Sequence, residues 1–472
     1  MPYSINQILS ISKLRTHFRL STVHKPETPN SGAYRQTCRH KRAHTHTHTA
    51  MPLPFLAHVF FEGAPSWVPD PWLMLKVGSA LGAVALTKRY FSGAVNLTDR
   101  NLHGRVVLIT GGTSGIGAVT AYELARRGAQ IVLLTHLPQT DPFLVDFIDD
   151  MRERSENDLI YAETVDLSSL HSIRLFATKW VDNAPPRRLD SIILCAATLT
   201  PPGSPRAETT EGIETTWMVN YLANFHLLAI LSPAIRAQPF DRDVRIVIPT
   251  CSAYIASPPL DAVIKNSEWS ASTAYARSKL ALMVFAKAFQ KHLDAYKRPD
   301  EMPMNARVVL VDPGFTRTPG SRRWLSRGSL WGIVVYLVLY VFAWIFMKSA
   351  EMGAQSLLFA VMDGGLLRIP GGQLIKECMR VDFARKDVTD EAVAKTLWES
   401  SDKLIEKTEK EQAEKRAKAK KEEGEREKKA KEEATAAERL EEIESLLNTI
   451  KKGKAKDAQK GKKPKPSSKA VK

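Results

Sequence analysis

The sequence predicts an α/β fold, a doubly wound parallel sheet with apolar flanking segments and a charged helical C-terminal extension. Three observations carry that expectation. Short β-branched runs recur: RVVLIT from Arg105, QIVLLT from Gln130, DSIILC from Asp190, VRIVIP from Val244 and ARVVLV from Ala306. They are separated by stretches of helix length and are apolar nearly throughout, as strands covered on both faces require. The first run leads into a glycine-bearing turn, Thr110-Gly111-Gly112-Thr113-Ser114-Gly115-Ile116-Gly117, and then into the helical stretch AVTAYELARRGA. Finally, composition at both ends departs so far from that of the middle that only residues 101–385 need form the globular domain.

Residues 1–50 are basic and nearly free of acids, and end in the alternating tract His44-Thr45-His46-Thr47-His48-Thr49. No hydrophobic period holds there, so a low-complexity extension is expected, with a mitochondrial presequence as the alternative. Apolar sequence follows Met51 directly, and the functional chain is expected to start there. Residues 51–100 form an anchor region whose stretch Trp72–Leu86 is interrupted only by Lys76 and Ser79. That is shorter than the roughly 20 residues a span needs, and predicts a helix lying at an interface, with a helix packed beside the core as the alternative. Residues 386–450 are rich in Lys, Glu and Ala, predicting a long solvated helix. Apolar residues return at Leu440, Ile443, Leu446, Leu447 and Ile450, where a coiled coil is expected. A lysine-rich tail, 451–472, completes the chain.

The net charge of +16 is concentrated in the first fifty residues, around Arg322 and beyond Lys451, so it defines no nucleic-acid-binding face. Cys38, Cys195, Cys251 and Cys378 are scattered, with neither metal-ligand spacing nor disulfide density. No metal site is expected, and a reducing compartment is.

The turn after the first strand suits a dinucleotide. Gly111 permits the tight bend, Gly115 lets backbone approach a pyrophosphate, and Gly117 lets helix and strand pack closely. The helix start then offers unpaired amides to the phosphates, with Thr113, Ser114 and Ile116 beside them. TGGTSGIG resembles the TGxxxGIG signature of the short-chain dehydrogenase/reductase family, over residues 102–380. The resemblance implies a Rossmann-type domain and a nicotinamide coenzyme, and places Asp166 of Val165-Asp166-Leu167 against adenine. The second strand ends at Thr135-His136 without the acid that would bind a ribose 2′-hydroxyl. NADP is therefore expected, with NAD as the alternative, and His136 stands where many NADP-dependent members carry arginine.

Tyr275-Ala276-Arg277-Ser278-Lys279 matches the family's Tyr-x-x-x-Lys pair. Residues four apart share a helix face, so phenol and ammonium reach the same coenzyme edge. A phenol near its ordinary pKa of about 10 is a poor neutral-pH catalyst, and a fixed ammonium is expected to pull it down. The resemblance gives Lys279 a second task, holding the nicotinamide ribose, and assigns Asn220 to a proton relay through water. It also places Pro313, Gly314, Thr316 and Thr318 beside the nicotinamide. Two departures stand out. Leu194-Cys195-Ala196-Ala197 replaces the usual Asn-Asn-Ala-Gly, and Thr250-Cys251 falls where the family reads Ser-Ser, with Ser252 one residue later. Because a thiol is a poor donor, Ser252 is the residue expected to hold the substrate oxygen, with Thr250 as the other hydroxyl in reach.

Residues 329–348 form an apolar insert whose run LWGIVVYLVLYVFAWIFM carries no charge and is flanked by Arg322, Arg323, Arg327 and Lys348. A last sheet strand is expected at Gly372–Cys378, so a single crossing would strand it on the far side of a bilayer. Monotopic burial beside the active-site mouth is expected, with Trp324, Trp331, Tyr336, Tyr340 and Trp344 at the interface, and a fully buried or dimer-interface helix is the alternative. The long gap from Ser252 to Tyr275 resembles the retinol-dehydrogenase-like branch. That implies a lipophilic retinoid-, steroid- or fatty-type substrate. The expected setting is a membrane or lipid-droplet surface facing the cytosol, of endoplasmic reticulum, lipid droplet or vacuole. Self-association into a homo-oligomer is left open. The competing expectation is a catalytically impaired nucleotide-binding scaffold on an organelle surface.

Overall fold

The computed structural model describes residues 70–261 and 269–460, with the side chains of 71 and 453–460 excepted. The His-Thr tract, the start at Met51 and the basic tail beyond 460 lie outside the described residues. Eight strands among these residues form one sheet in the order β3-β2-β1-β4-β5-β6-β7-β8. They are β1 (Val106–Thr110), β2 (Gln130–Thr135), β3 (Ile160–Thr164), β4 (Ser191–Leu194), β5 (Val244–Pro249), β6 (Ala306–Asp312), β7 (Gln373–Lys376) and β8 (Met379–Val381). All pairings are parallel except β7 with β8. The chain winds outward from β1 to β3 and then returns to β4, so strand order reverses between β1 and β4, where a crevice opens at the strands' carboxyl ends.

Successive strand residues serve opposite cores, which is why the runs are apolar throughout. Leu108 and Ile192 face helices α4 (Leu170–Val181), α5 (Thr215–Arg236) and α6 (Ala271–Asp294). Val107, Ile109 and Ile193 face α2 (Gly115–Ala125), α3 (Pro142–Ser155) and α10 (Ala350–Met362). Among the described residues α5 is the helix long and apolar enough to cross a membrane, yet it is mostly buried in this core. Its apolarity is that of a helix packed between sheet and neighbouring helices.

The insert is two short helices, α8 (Leu330–Val338) and α9 (Tyr340–Phe346), broken at Leu339, and neither has a buried residue. Nine helical residues rise only about 14 Å, against roughly 30 Å of hydrocarbon. At its base Lys348 N donates to Phe315 O (2.9 Å) and Arg317 N donates to Lys348 O (2.8 Å). The buried Lys348 ammonium pairs with Glu377, whose carboxylate also accepts from Ala94 N at 2.8 Å. The end of α1 (Pro71–Ser92) packs on the same insert, with Phe91 edge-on to Phe346 at 5.2 Å and Lys88 Nζ donating to Met347 O at 3.2 Å.

The last helix, α11, runs over Glu391–Lys460. Its first five turns are not the solvated rod expected: Leu397, Ser401, Ile405 and Thr408 are buried on one stripe against α5 and α6. Residues 413–452 are exposed apart from Gly424. On this docked stretch, Glu409 meets the buried His226 of α5 at 3.3 Å. A carboxylate so close would favour the imidazolium, but Glu409 is already held by Arg174. Burial and the Arg174 charge together push His226 down from 6.5 to about 4. The folded state therefore favours neutral imidazole while the unfolded chain protonates first. Stability should be complete above 6.5 and fall as pH drops toward 4, by up to about 3 kcal/mol from this group alone. Urea unfolding of wild type and His226→Gln at pH 7 and pH 4.5 checks it; equal acid losses in both would refute the assignment.

Candidate active site

The glycine turn fills the crevice at the strand reversal. Gly111 has φ +65°, and a Cβ there would lie 2.7 Å from the Ala196 backbone. Thr110 Oγ1 accepts from Ala196 N at 3.2 Å, tying the turn to the end of β4. Ser114 precedes α2 as its N-cap residue, yet its side chain makes no capping bond and the first turn holds no acid. The first amides of α2 are thus left for an anion, as helix starts leave them. A Cβ on Gly115 (φ +59°) would meet the Thr318 methyl at 3.3 Å. The turn and the 316–319 segment therefore face each other across a groove at glycine's width. These features fit a dinucleotide pyrophosphate: a backbone cradle that a side chain would fill, and a helix start without a competing carboxylate.

The other residues expected at the coenzyme follow the carboxyl ends of β2, β3 and β6. His136 is exposed just beyond β2. Asp166 is half-buried and its Oδ1 accepts from Ser168 N (2.8 Å) and Ser168 Oγ (2.7 Å). Gly314, at φ +76°, turns the chain after Pro313, its amide donating to Asp312 Oδ1 at 2.9 Å. Thr316 is buried, its hydroxyl donating to Gly314 O at 3.2 Å, and Thr318 caps the short helix α7 (Pro319–Leu325). Thr113 and Ile116 are half-buried in the turn itself.

Tyr275 and Lys279 lie one turn apart on α6, which starts where Ser270 Oγ accepts from Thr273 N. The Lys279 ammonium is buried, donates to Pro249 O at 3.2 Å and lies 5.7 Å from the Tyr275 ring centroid. Burial pushes the Tyr275 phenol well above its ordinary value, and the neighbouring Cys251 adds to the rise. Lys279 moves the other way, lowered by burial. The ammonium thus sits over the ring and on a carbonyl rather than at the phenol oxygen, which is why its expected downward pull is not the dominant influence.

Asn220 is fully buried within a π-helical turn, Met218–Leu222, inside α5. Its Oδ1 accepts from Thr198 N at 2.7 Å, and its Nδ2 donates to Thr198 O (3.0 Å) and Ser278 Oγ (3.1 Å). Ser278 in turn donates to Tyr275 O at 2.8 Å, joining the asparagine turn to the tyrosine helix. Spacing alone left Ser278 unnoticed, although it sits inside the Tyr-x-x-x-Lys run.

On the substrate side the structure departs from expectation. Ser252 is exposed and its hydroxyl is engaged elsewhere: it donates to Asp312 Oδ2 at 2.8 Å and accepts from Lys376 Nζ at 3.3 Å. Cys251 Sγ stands 3.6 Å from the Tyr275 oxygen. The reason is local, since a 3₁₀ turn begins at Ser252 and carries its side chain toward the end of β6. Thr250 is buried with its hydroxyl unpaired. Since the thiol helps raise the phenol, Cys251→Ala should shift the Tyr275-governed limb of the pH–rate profile toward lower pH, and an unmoved limb would count against the contact.

Fold and site together define an oxidoreductase that uses a nicotinamide dinucleotide, NADP or NAD. The short-chain dehydrogenase model matches residues 105–327. Uncharacterized oxidoreductase pbr1 of Schizosaccharomyces pombe is 40% identical, covering 78% of this chain and 99% of its own. Retinol dehydrogenase 13 of Mus musculus is 28% identical, covering 70% and 92%. Polyprenol dehydrogenase of Mus musculus is 31% identical, covering 62% and 82%. This chain belongs to the short-chain dehydrogenase family.

Proposed function

We propose that the chain interconverts a lipophilic alcohol and its carbonyl with NADP at a membrane surface. The observation that carries this reading is the position of the apolar insert. Its base is paired to Phe315 and Arg317, within the loop that follows Pro313-Gly314 on the coenzyme side of the groove. A substrate entering past the exposed faces of α8 and α9 thus enters beside the reacting centre. Exposed Trp331, Val335, Leu337 and Phe342, with Leu81 and Leu86 of α1, suit a bilayer more than water.

Held by the glycine turn, the 313–318 loop and Lys279, a nicotinamide coenzyme would supply or accept the hydride. Tyr275 gives or takes the proton on the substrate oxygen, Lys279 orients the ribose, and Asn220 connects the phenol to water. His136, exposed at the end of β2 with no acid in its place, supports NADP over NAD. Relatives named for retinol and polyprenol favour an isoprenoid alcohol within the retinoid-, steroid- and fatty-type range. The membrane is that of the endoplasmic reticulum, a lipid droplet or the vacuole, with the domain in the cytosol; a mitochondrial address is the alternative.

The test is oxidation of NADPH or NADH by liposome-bound protein with retinal, a polyprenal, a ketosteroid and a fatty aldehyde. Turnover of an isoprenoid carbonyl, faster with NADPH, is expected. Coenzyme binding with no turnover of any carbonyl would sink the enzymatic reading and leave the scaffold.

A further inference from the structure

We infer that the first five turns of the C-terminal helix are a positioning element of the catalytic centre, acting through Ser401 and Trp398 on the helices that carry Asn220 and Tyr275. The inference rests on the catalytic reading of those two residues.

A π-helical turn is rare and usually confined to one turn, so Met218–Leu222 depends on contacts from outside to hold its shape. On its inner side those contacts are the three hydrogen bonds of Asn220. The next residue, Tyr221, is fully buried and its hydroxyl lies 2.7 Å from Ser401 Oγ. Ser401 donates its own hydrogen to Leu397 O at 2.8 Å. The phenol of Tyr221 is therefore the donor, and the serine oxygen its acceptor. The asparagine turn is gripped from two directions, by Thr198 and Ser278 toward the site and by Ser401 from α11.

Trp398 extends the grip to the second catalytic helix. Its ring meets Phe225 of α5 edge-on at 5.2 Å and Phe285 of α6 at 5.7 Å. Phe225 and Phe285 pack on each other at 4.9 Å, and both approach the Tyr221 ring. One tryptophan thus rests on the seam between the helix of Asn220 and the helix of Tyr275 and Lys279. Because α11 covers this seam, that outer face of α5 and α6 is taken by the chain's own helix. The distance between phenol and asparagine is then set partly by residues more than a hundred positions beyond either.

The experiment compares full-length wild type, Ser401→Ala and Ser401→Thr. Hydrogen exchange is followed by mass spectrometry, and turnover is measured with NADPH and all-trans-retinal in liposomes. Ser401→Ala should speed exchange over residues 217–225 by about tenfold while β1 amides are unchanged. It should lower kcat about tenfold or more with the KM for NADPH unchanged, as a small displacement of a catalytic group does. Ser401→Thr, which keeps the acceptor, should restore both. Unchanged kcat, or exchange that rises evenly through the molecule, overturns the inference. Should wild type leave retinal untouched, the functional reading is what fails, and the exchange comparison still decides whether α11 holds the turn.

Discussion

Tyr275→Phe is expected to lower turnover by about 10²- to 10⁴-fold while leaving NADPH binding close to wild type. The substitution removes one oxygen from a half-buried ring and keeps the volume that α6 packs around. Only the proposed proton-transfer group is lost. Lys279 retains its bond to Pro249 O, and Ser278 retains its bond to the backbone carbonyl of residue 275, so the rest of the constellation stays in place. Cys251 loses the oxygen 3.6 Å from its sulfur and, as a weak donor, is little penalised for it. Measured together, steady-state turnover and coenzyme calorimetry separate the outcomes. Full turnover by the phenylalanine variant would remove Tyr275 from the chemistry.

Much of this was legible in the sequence, because a parallel sheet buried on both faces writes each strand as a continuous apolar run. The runs from Arg105, Gln130, Asp190, Val244 and Ala306 correspond to β1, β2, β4, β5 and β6. The sheet edges were harder to read. In β3, Tyr161 and Thr164 are exposed and the run IYAET mixes polar with apolar residues. Three-residue β8 is too short to have a pattern. Docking of α11 was hidden for a related reason, since two of its four buried stripe residues, Ser401 and Thr408, are polar and interrupt the apolar stripe that would mark a packed face. On the substrate side, chain spacing placed Ser252 within one residue of the expected hydroxyl. Which neighbour faces the phenol depends on the turn at 252–256, and side-chain direction through a 3₁₀ turn does not follow from spacing.

Gly117→Ala should abolish coenzyme binding and destabilise the domain, and it tests the cradle without touching any catalytic group. A Cβ at residue 117 would lie 2.3 Å from the Gly111 carbonyl oxygen and 3.1 Å from Cys195 Cβ. The first contact is with backbone, at a residue whose own φ of +65° is fixed by its approach to Ala196, so neither side can yield cheaply. Relief requires α2 to move away from β1, and its first turn is where the free amides point. Overpacking of this kind costs about 1–3 kcal/mol. The same displacement withdraws the amides and helix dipole from the pyrophosphate. Alanine at Gly203, which has no heavy atom within 4 Å of its Cβ position, is a control for space, though not for its own φ of +84°. Denaturant unfolding should show Gly117→Ala weakened, and calorimetry should show no heat with NADPH at concentrations that saturate wild type. Wild-type affinity in the alanine variant would mean that the groove between Gly115 and Thr318 does not hold the dinucleotide, and the assignment of every coenzyme contact along it would fall with it.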